Sequence, residues 1–426
     1  MKQGTPKNRP QPKPPLQDMI KAANLRLKTL EAQGHFQQAL EISLQIAHAY
    51  PDYAAAWSHA AGSCIRLHRW QDAVAYAQTA LACGGDTVGL YDALAHAHGK
   101  LGQWEQAGRY GLQSLKMRDS QFGGEPVLAL PDPPPLPPPP SAATRERNII
   151  AFSLFGGDPK YCDSAILNVL EQPAIYPHWV CRFYVDHSVP AGVIDRLRAG
   201  GGQVIAVEGA AAGWPGPMWR FLALDDPQAH RILFRDADSL ISPREAGAVA
   251  QWLASGKRFH MMRDAGSHTE LLMAGMWGVV AGSLPPLEQL MQRFMSQPLQ
   301  SEHFADQFFL RQYVWPYART SLMQHDSIFG FMDGVPFPAG PRSDDVFVGD
   351  SPAVLNFPID RPNGTELSCD FFRIETPHDA QQASETLVYS FATTVRNGGM
   401  KLLIPTRYVR MLQQGAARLS LSRAGS

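Results

Sequence analysis

Several absences narrow the class of this 426-residue chain before any motif is considered. A formal net charge of −1 leaves no electrostatic case for nucleic acid or an acidic membrane surface as the main partner. The longest near-apolar stretch, Leu271 to Gly282, is too short to span a bilayer. The Lys-, Arg- and Pro-rich start, Met1 to Pro15, has no apolar core of the kind a signal peptide carries. Five cysteines (Cys64, Cys83, Cys162, Cys181, Cys369) are scattered without CxxC spacing, which indicates neither a zinc site nor a disulfide framework. A reduced compartment follows, cytoplasmic or peripheral at the inner membrane. A Gly-rich basic loop is also missing: after the first expected strand, Gly156-Gly157 runs into Asp158, so no triphosphate cradle is present.

What the chain does have is order on two scales. At this length two or three domains are expected. In the first segment Ala39, Ala73 and Ala107 recur every 34 residues, as do Phe36, Trp70 and Trp104, while Gly34, His68 and Gly102 keep the same register. A small residue where two helices cross, with an aromatic before it, at this period resembles the tetratricopeptide repeat. Three repeats over 20–121 imply an all-α slab whose concave face suits a protein partner. The run from Pro131 to Pro140 marks the next boundary. It excludes helix and central strand and favours a polyproline II spacer roughly 30 Å long.

From Asn148 the texture alternates between strands and helices. Strands are expected at Ile149–Phe155, Trp179–Val185 and Val204–Val207, and helices at 161–172 and 191–199, with another beginning at Pro217–Leu224. This order implies a mostly parallel sheet covered on both faces. A fourth strand, Arg231-Ile232-Leu233-Phe234-Arg235, ends in Asp236-Ala237-Asp238. Residues two apart on a strand point the same way, so the two carboxylates converge where α/β proteins bind ligands. Two such groups suit a divalent cation and, through it, a diphosphate. The alternative is that they cap the helix beginning near Pro243.

The block Met218-Trp219-Arg220-Phe221-Leu222 followed by Leu233-Phe234-Arg235-Asp236-Ala237-Asp238 resembles GT-A glycosyltransferases, and glycosyltransferase family 8 in particular. The resemblance implies further assignments. Asp158 and Tyr161 correspond to the turn that holds the nucleotide base. Arg220 and Gly275, the latter in Met273-Ala274-Gly275-Met276, fall on the donor side. Asp306-Gln307 matches the family's Asp-Gln-Asp and is the expected catalytic pair, with Phe308 replacing the second Asp. His325 falls where the family places a third metal ligand after Asp236 and Asp238. The family's Lys-Pro-Trp tail is absent. Arg220 pairing with Asp225 or Asp226, and Asp306 acting as a helix cap, stay open as structural alternatives. The aromatic loop Trp214–Trp219 is either a sugar platform or a packed corner. Arg263 and Asp264, ending another strand, either reach the same cleft or form a strand-end ion pair.

The domain organisation expected is a disordered tail (1–19), three tetratricopeptide repeats (20–121), a Pro-rich linker (122–146), a GT-A domain (147–345) and an extension of unassigned structure (346–426). The expected function is metal-dependent transfer of a sugar from a nucleotide-sugar donor, UDP-linked by resemblance, to a glycan or protein acceptor, with retention implied by the resemblance alone. Two carboxylates and an imidazole favour Mn²⁺ over Mg²⁺. The competing readings are a non-catalytic sugar-nucleotide-binding adaptor whose repeats recruit a partner, and a nucleotidyltransferase.

Overall fold

The computed structural model describes residues 16–130, 132–299, 301–338, 347–375 and 384–423. Most of the N-terminal tail, Pro131 of the proline run and residues 339–346 at the expected domain junction therefore lie outside the described residues. Contacts divide the chain into two compact units, one ending at Ser114 and the other beginning at Leu115.

Six helices build the first unit: α1 (Leu16–Ala32), α2 (Phe36–Ala49), α3 (Ala54–Arg66), α4 (Trp70–Ala82), α5 (Thr87–Lys100) and α6 (Trp104–Phe122), the end of α6 belonging to the second unit. The 34-residue register seen in the sequence has a direct structural counterpart. Phe36, Trp70 and Trp104 open α2, α4 and α6, and Ala39, Ala73 and Ala107 are buried one turn later. Gly34, His68 and Gly102 all take left-handed backbone, with φ of 74°, 58° and 70°. In each turn the next residue donates back into the preceding helix: His35 to Leu30, Arg69 to Cys64 and Gln103 to His98, at 2.8, 2.8 and 2.9 Å. A left-handed residue followed by such a bond is how a helix is ended and its chain reversed.

The second unit is organised by a seven-stranded sheet: β1 (Asn148–Leu154), β2 (Val180–Val185), β3 (Gln203–Ala206), β4 (Arg231–Arg235), β5 (Phe259–Arg263), β6 (Met276–Val280) and β7 (Leu322–Asp326), in the order β3-β2-β1-β4-β6-β5-β7. Only β6 runs against its neighbours; every other pairing is parallel. The expected α/β arrangement with a mostly parallel sheet is present. Strands β4, β5 and β6 are buried at every residue, which is why they read as continuous apolar runs instead of alternating ones. Connecting helices are α7 (Pro159–Ile175), α8 (Ala191–Ala199), α9 (Pro243–Ala254) and α10 (Leu287–Met295). Then α11 (Ala305–Phe309) continues through a π-helical turn (Leu310–Val314) into α12 (Trp315–Ala318). The helix expected from Pro217 is a 3-10 helix, Gly216–Asp225.

The C-terminal segment contributes β8 (Ala353–Pro358), β9 (Glu366–Glu375), β10 (Ser384–Thr394), β11 (Gly399–Ile404), α13 (Thr406–Gln413) and β12 (Ala417–Arg423). Antiparallel β9 pairs with β10 and β12, and β8 with β11. Phe371, Phe391, Leu402 and Tyr408 from this segment share one apolar core with Phe152, Ile166 and Phe183 of the main sheet and α7. Tyr389 and Tyr408 add hydroxyl bonds to Asp163 and Glu171 on α7, at 2.5 and 2.7 Å.

The proline run does not stand off as a free spacer. Arg258 donates to the Pro134 carbonyl at 2.6 Å, and Arg231 donates to those of Pro137 and Pro138 at 2.6 and 2.7 Å. Proline carbonyls have no ladder partner, so two arginines at the strand starts satisfy them and hold the run in place.

Candidate functional site

Strands β1, β2 and β3 step outward in one direction from β1, while β4 lies on its other side. The crevice between the carboxyl ends of β1 and β4 is therefore the switch point of the sheet, where α/β folds bind ligands. A cavity of about 330 Å³ opens there. It is lined by Ser153, Leu154 and Phe155 from the end of β1 and by Asp236, Ala237 and Asp238 from the end of β4. Tyr161, Arg220, Ala274, Phe304, Asp306 and Gln307 complete most of its wall.

Arg220 ties this wall together. Its backbone N–H donates to Ser153 Oγ at 2.9 Å. Its guanidinium donates to Asp236 Oδ1 at 2.5 Å and to the Arg235 carbonyl at 2.8 Å through one nitrogen, and to Asp306 Oδ2 at 2.6 Å through another. The side chain is only 3% exposed, so the pairing with Asp225 or Asp226 left open by the sequence does not form. A buried guanidinium is tolerable because two carboxylates surround it. Burial opposes its charge, but Asp236 and Asp306 outweigh that and raise its pKa. Asp306, sealed in beside it, has its pKa raised chiefly by burial, with the Asp236 charge adding and Arg220 opposing.

The carboxylate pair is held unevenly. Asp236 is 49% exposed on its side chain, with Oδ1 taken by Arg220. Asp238, 14% exposed, accepts from the Lys160 ammonium at 2.6 Å and from Ser351 Oγ at 3.3 Å. Burial works against the Lys160 charge, yet the Asp238 hydrogen bond and charge prevail and raise its pKa. Gly275 leaves the space that Asp236 fills: a Cβ there would lie 2.0 Å from Asp236 Oδ2. Gln307 turns its amide to the neighbouring backbone, its nitrogen donating to the Leu272 carbonyl at 3.0 Å and its oxygen accepting from Ala274 N–H at 2.9 Å. It fixes the segment that carries Gly275.

Tyr161, Arg220, Asp236, Asp238, Asp306 and Gln307 thus meet at one cavity, with Gly275 against Asp236. Two sequence-derived assignments do not join them. Asp158 caps α7, accepting from Lys160 N–H at 2.9 Å, and lines a different groove together with Phe357 and Thr393. His325 is the larger correction. It is fully buried on β7, with Nε2 against Gln251 Oε1 at 2.9 Å and Nδ1 against His260 Nε2 at 2.8 Å. Both ring nitrogens are engaged, and β7 is the far edge of the sheet from β1 and β4. Burial lowers its pKa to about 4, so it is a neutral core histidine. Among the described residues no cluster of three or more His, Cys, Asp or Glu is arranged for a metal ion.

Arg263 and Asp264 also lie elsewhere: Arg263 bonds the Glu270 and Leu271 carbonyls, and Asp264 takes a two-point bond from Arg244 at 2.8 and 2.9 Å. The aromatic loop is a packed corner, Trp219 standing edge-on to Phe155 at 5.6 Å and donating to the Ala211 carbonyl. Sequence reasoning passed over Lys160, Ser351, Phe155 and Phe304. Lys160 sat inside the Asp158–Tyr161 turn, where a cation in the first turn of a helix runs against the helix dipole and was the available signal. Ser351 lies beyond the point where the pattern of strands and helices faded.

No family model and no curated protein matches this chain. Solved structures show distant likenesses. A mutant O-GlcNAc transferase of Thermobaculum terrenum is 14% identical over 51% of this chain and 50% of its own, with a TM-score of 0.27. TarS of S. aureus (residues 1–349) is 12% identical over 43% and 59%, with a TM-score of 0.31. The glucosyl-3-phosphoglycerate synthase from Mycobacterium tuberculosis, in complex with Mg²⁺ and uridine-diphosphate, is 13% identical over 46% and 73%, with a TM-score of 0.28. The alignment spans half the length of the first of these proteins.

Proposed function

We propose that the cavity at the ends of β1 and β4 takes a nucleoside-diphosphate sugar together with a divalent cation, and that the protein is a GT-A-type glycosyltransferase preceded by tetratricopeptide repeats. The observation that carries this reading is the meeting of Asp236 and Asp238 with Arg220, Asp306 and Tyr161 at the switch point of the sheet. The donor set fits the cation. Small divalent ions are held by one or two carboxylates, with phosphate oxygens and water completing their shell, and Asp236 and Asp238 supply that pair. With His325 outside the set, the nitrogen donor that singled out Mn²⁺ is gone, and Mg²⁺ serves as well. When bound, the ion supplies charge neutralisation to the departing diphosphate.

The chain's own groups then divide the work. Asp236 and Asp238 hold the cation. Arg220 fixes Asp236 and Asp306, one through each terminal nitrogen. Gln307 holds the Gly275 segment, so it is read here as a positioning residue in place of a catalytic one. Phe155, Tyr161 and Phe304 offer flat faces to a base or sugar ring. UDP as the nucleotide and retention at the anomeric carbon remain the expectations carried by the family resemblance. In the first unit a groove of about 930 Å³, lined by Phe36, His59 and Arg66 among others, suits an extended protein segment, in keeping with the repeat reading.

The test is a screen of nucleotide sugars for metal-dependent hydrolysis and for thermal stabilisation of the full chain. A ligand at 100 times its Kd raises stability by about 2.7 kcal/mol. Asp236→Asn and Asp238→Asn are expected to lower turnover at least about 100-fold, as loss of an electrostatic stabiliser does. Undiminished, metal-dependent turnover in both variants would end this reading. Stabilisation by a donor without any transfer points to the adaptor.

A further inference from the structure

Resting on the reading above, we propose that Lys160 is an exchangeable counter-ion: it neutralises Asp238 in the empty site and moves onto the diphosphate when donor and cation enter, so that the cation binds well only together with a diphosphate.

The argument begins with the geometry. The Lys160 ammonium lies 2.6 Å from Asp238 Oδ2, on the carboxylate that a metal ion would use. A lysine ammonium is a compact point charge, and a divalent ion on the same carboxylate would face it at a few ångströms across little intervening water. Bound alone, the ion must therefore displace Lys160 or bear its repulsion. Bound with a diphosphate, the ion arrives with phosphate oxygens that accept the released ammonium.

Three further observations fit an exchange and not a permanent bridge. Lys160 is 33% exposed and stands on a flexible four-carbon stem, so moving its ammonium gives up the Asp238 pair and a contact over the Tyr161 ring at 5.0 Å without disturbing the buried core. Asp238 stays oriented without it, because Ser351 also donates to that carboxylate. Arg220 is locked between Asp236 and Asp306, so among the described residues that bond this pair of carboxylates Lys160 is the cation with room to move. Its place in the first turn of α7 supports this, since a lysine there gains nothing from the helix.

The experiment is a titration of the full-length protein with Mn²⁺, followed by calorimetry or by the spin signal of free Mn²⁺, with and without saturating UDP. In the wild type, UDP is expected to tighten Mn²⁺ at least about tenfold, within the usual span of couplings between sites. In K160M, Mn²⁺ alone is expected to bind several-fold more tightly than in the wild type, and the gain from UDP to shrink to less than about threefold. The K160M effect should vanish when Asp238→Asn is added, because the contested carboxylate is then gone; K160Q serves as the second variant if K160M folds poorly. A K160M protein whose Mn²⁺ affinity without UDP equals that of the wild type overturns the inference and leaves the donor-site reading standing. A wild type that binds neither UDP nor Mn²⁺ overturns both.

Discussion

At the scale of single residues, the candidate site depends on one missing side chain as much as on those present. Asp236 Oδ2 occupies the space a Cβ on Gly275 would need, at 2.0 Å, and Arg220 pins the other oxygen from the opposite side. An alanine at 275 must therefore push the carboxylate off its position while leaving the apolar core alone. Gly275→Ala is expected to weaken metal-dependent donor binding at least about tenfold while lowering the melting temperature by only a few degrees, as a local shift costing about 1 kcal/mol would. Calorimetric donor titration beside a thermal melt checks both halves, and unchanged donor affinity would show that Asp236 has room to spare. This level of detail was half legible. Asp236, Asp238 and Arg220 were singled out from residue type and order, but the two carboxylates stand in the turn that follows β4, beyond the strand whose period of two was invoked. His325 misled in another way: its place in the chain matched a ligand, but only the fold could reveal that β7 is the edge strand farthest from β1.

At the scale of elements, the same histidine couples two strands. Gln251 accepts from His325 Nε2–H, which leaves Nδ1 bare to accept from His260 Nε2–H, so both rings are neutral when β5 and β7 pair. Burial holds the His325 pKa at about 4, and burial, then His325 and Arg235, drives that of His260 well below its usual value. The sign is clear. Below about pH 6.5 the unfolded chain takes up protons that the folded one refuses, so stability falls as pH drops from there toward 4, and is fully present above 6.5. Urea titrations from pH 7 to 5 should show a loss of up to about 1.4 kcal/mol per pH unit for each histidine. His325→Gln should flatten that slope by about one proton; an unaltered slope would mean the pair is not buried neutral. Elements themselves were read well where periodicity was strong. The 34-residue register marked the start of α2, α4 and α6, and apolar runs marked the buried strands. The short 3-10 helix around Arg220 was taken for the start of a longer helix, because composition does not separate i+3 from i+4 bonding.

At the scale of the whole molecule, the C-terminal strands change what the second unit is. Residues beyond 346 alternate weakly in sequence, since β8 and β10 each bury one side only in part, and the pairings of β8 with β11 and of β9 with β12 join positions far apart in the chain. Nothing local announces such a sheet. Yet Phe371, Phe391, Leu402 and Tyr408 complete the same core as β1, β2 and α7. A chain ending at Pro352 would expose that face and leave Asp163 and Glu171 without their tyrosine partners. It is expected to be insoluble or to bind a hydrophobic dye strongly, with no cooperative melt, whereas a sharp melt at the full-length temperature would make the segment an independent domain.

The two arginines that hold the proline run add a constraint of another kind. Arg258 takes the carbonyl of Pro134 and Arg231 takes those of Pro137 and Pro138, so the run is gripped at two separate points. Because Arg231 grips two consecutive carbonyls, a slip of a single residue leaves it one of them, while a larger change in length between the anchors breaks its hold. Between its two anchors, this stretch of chain has little freedom to lengthen or shorten.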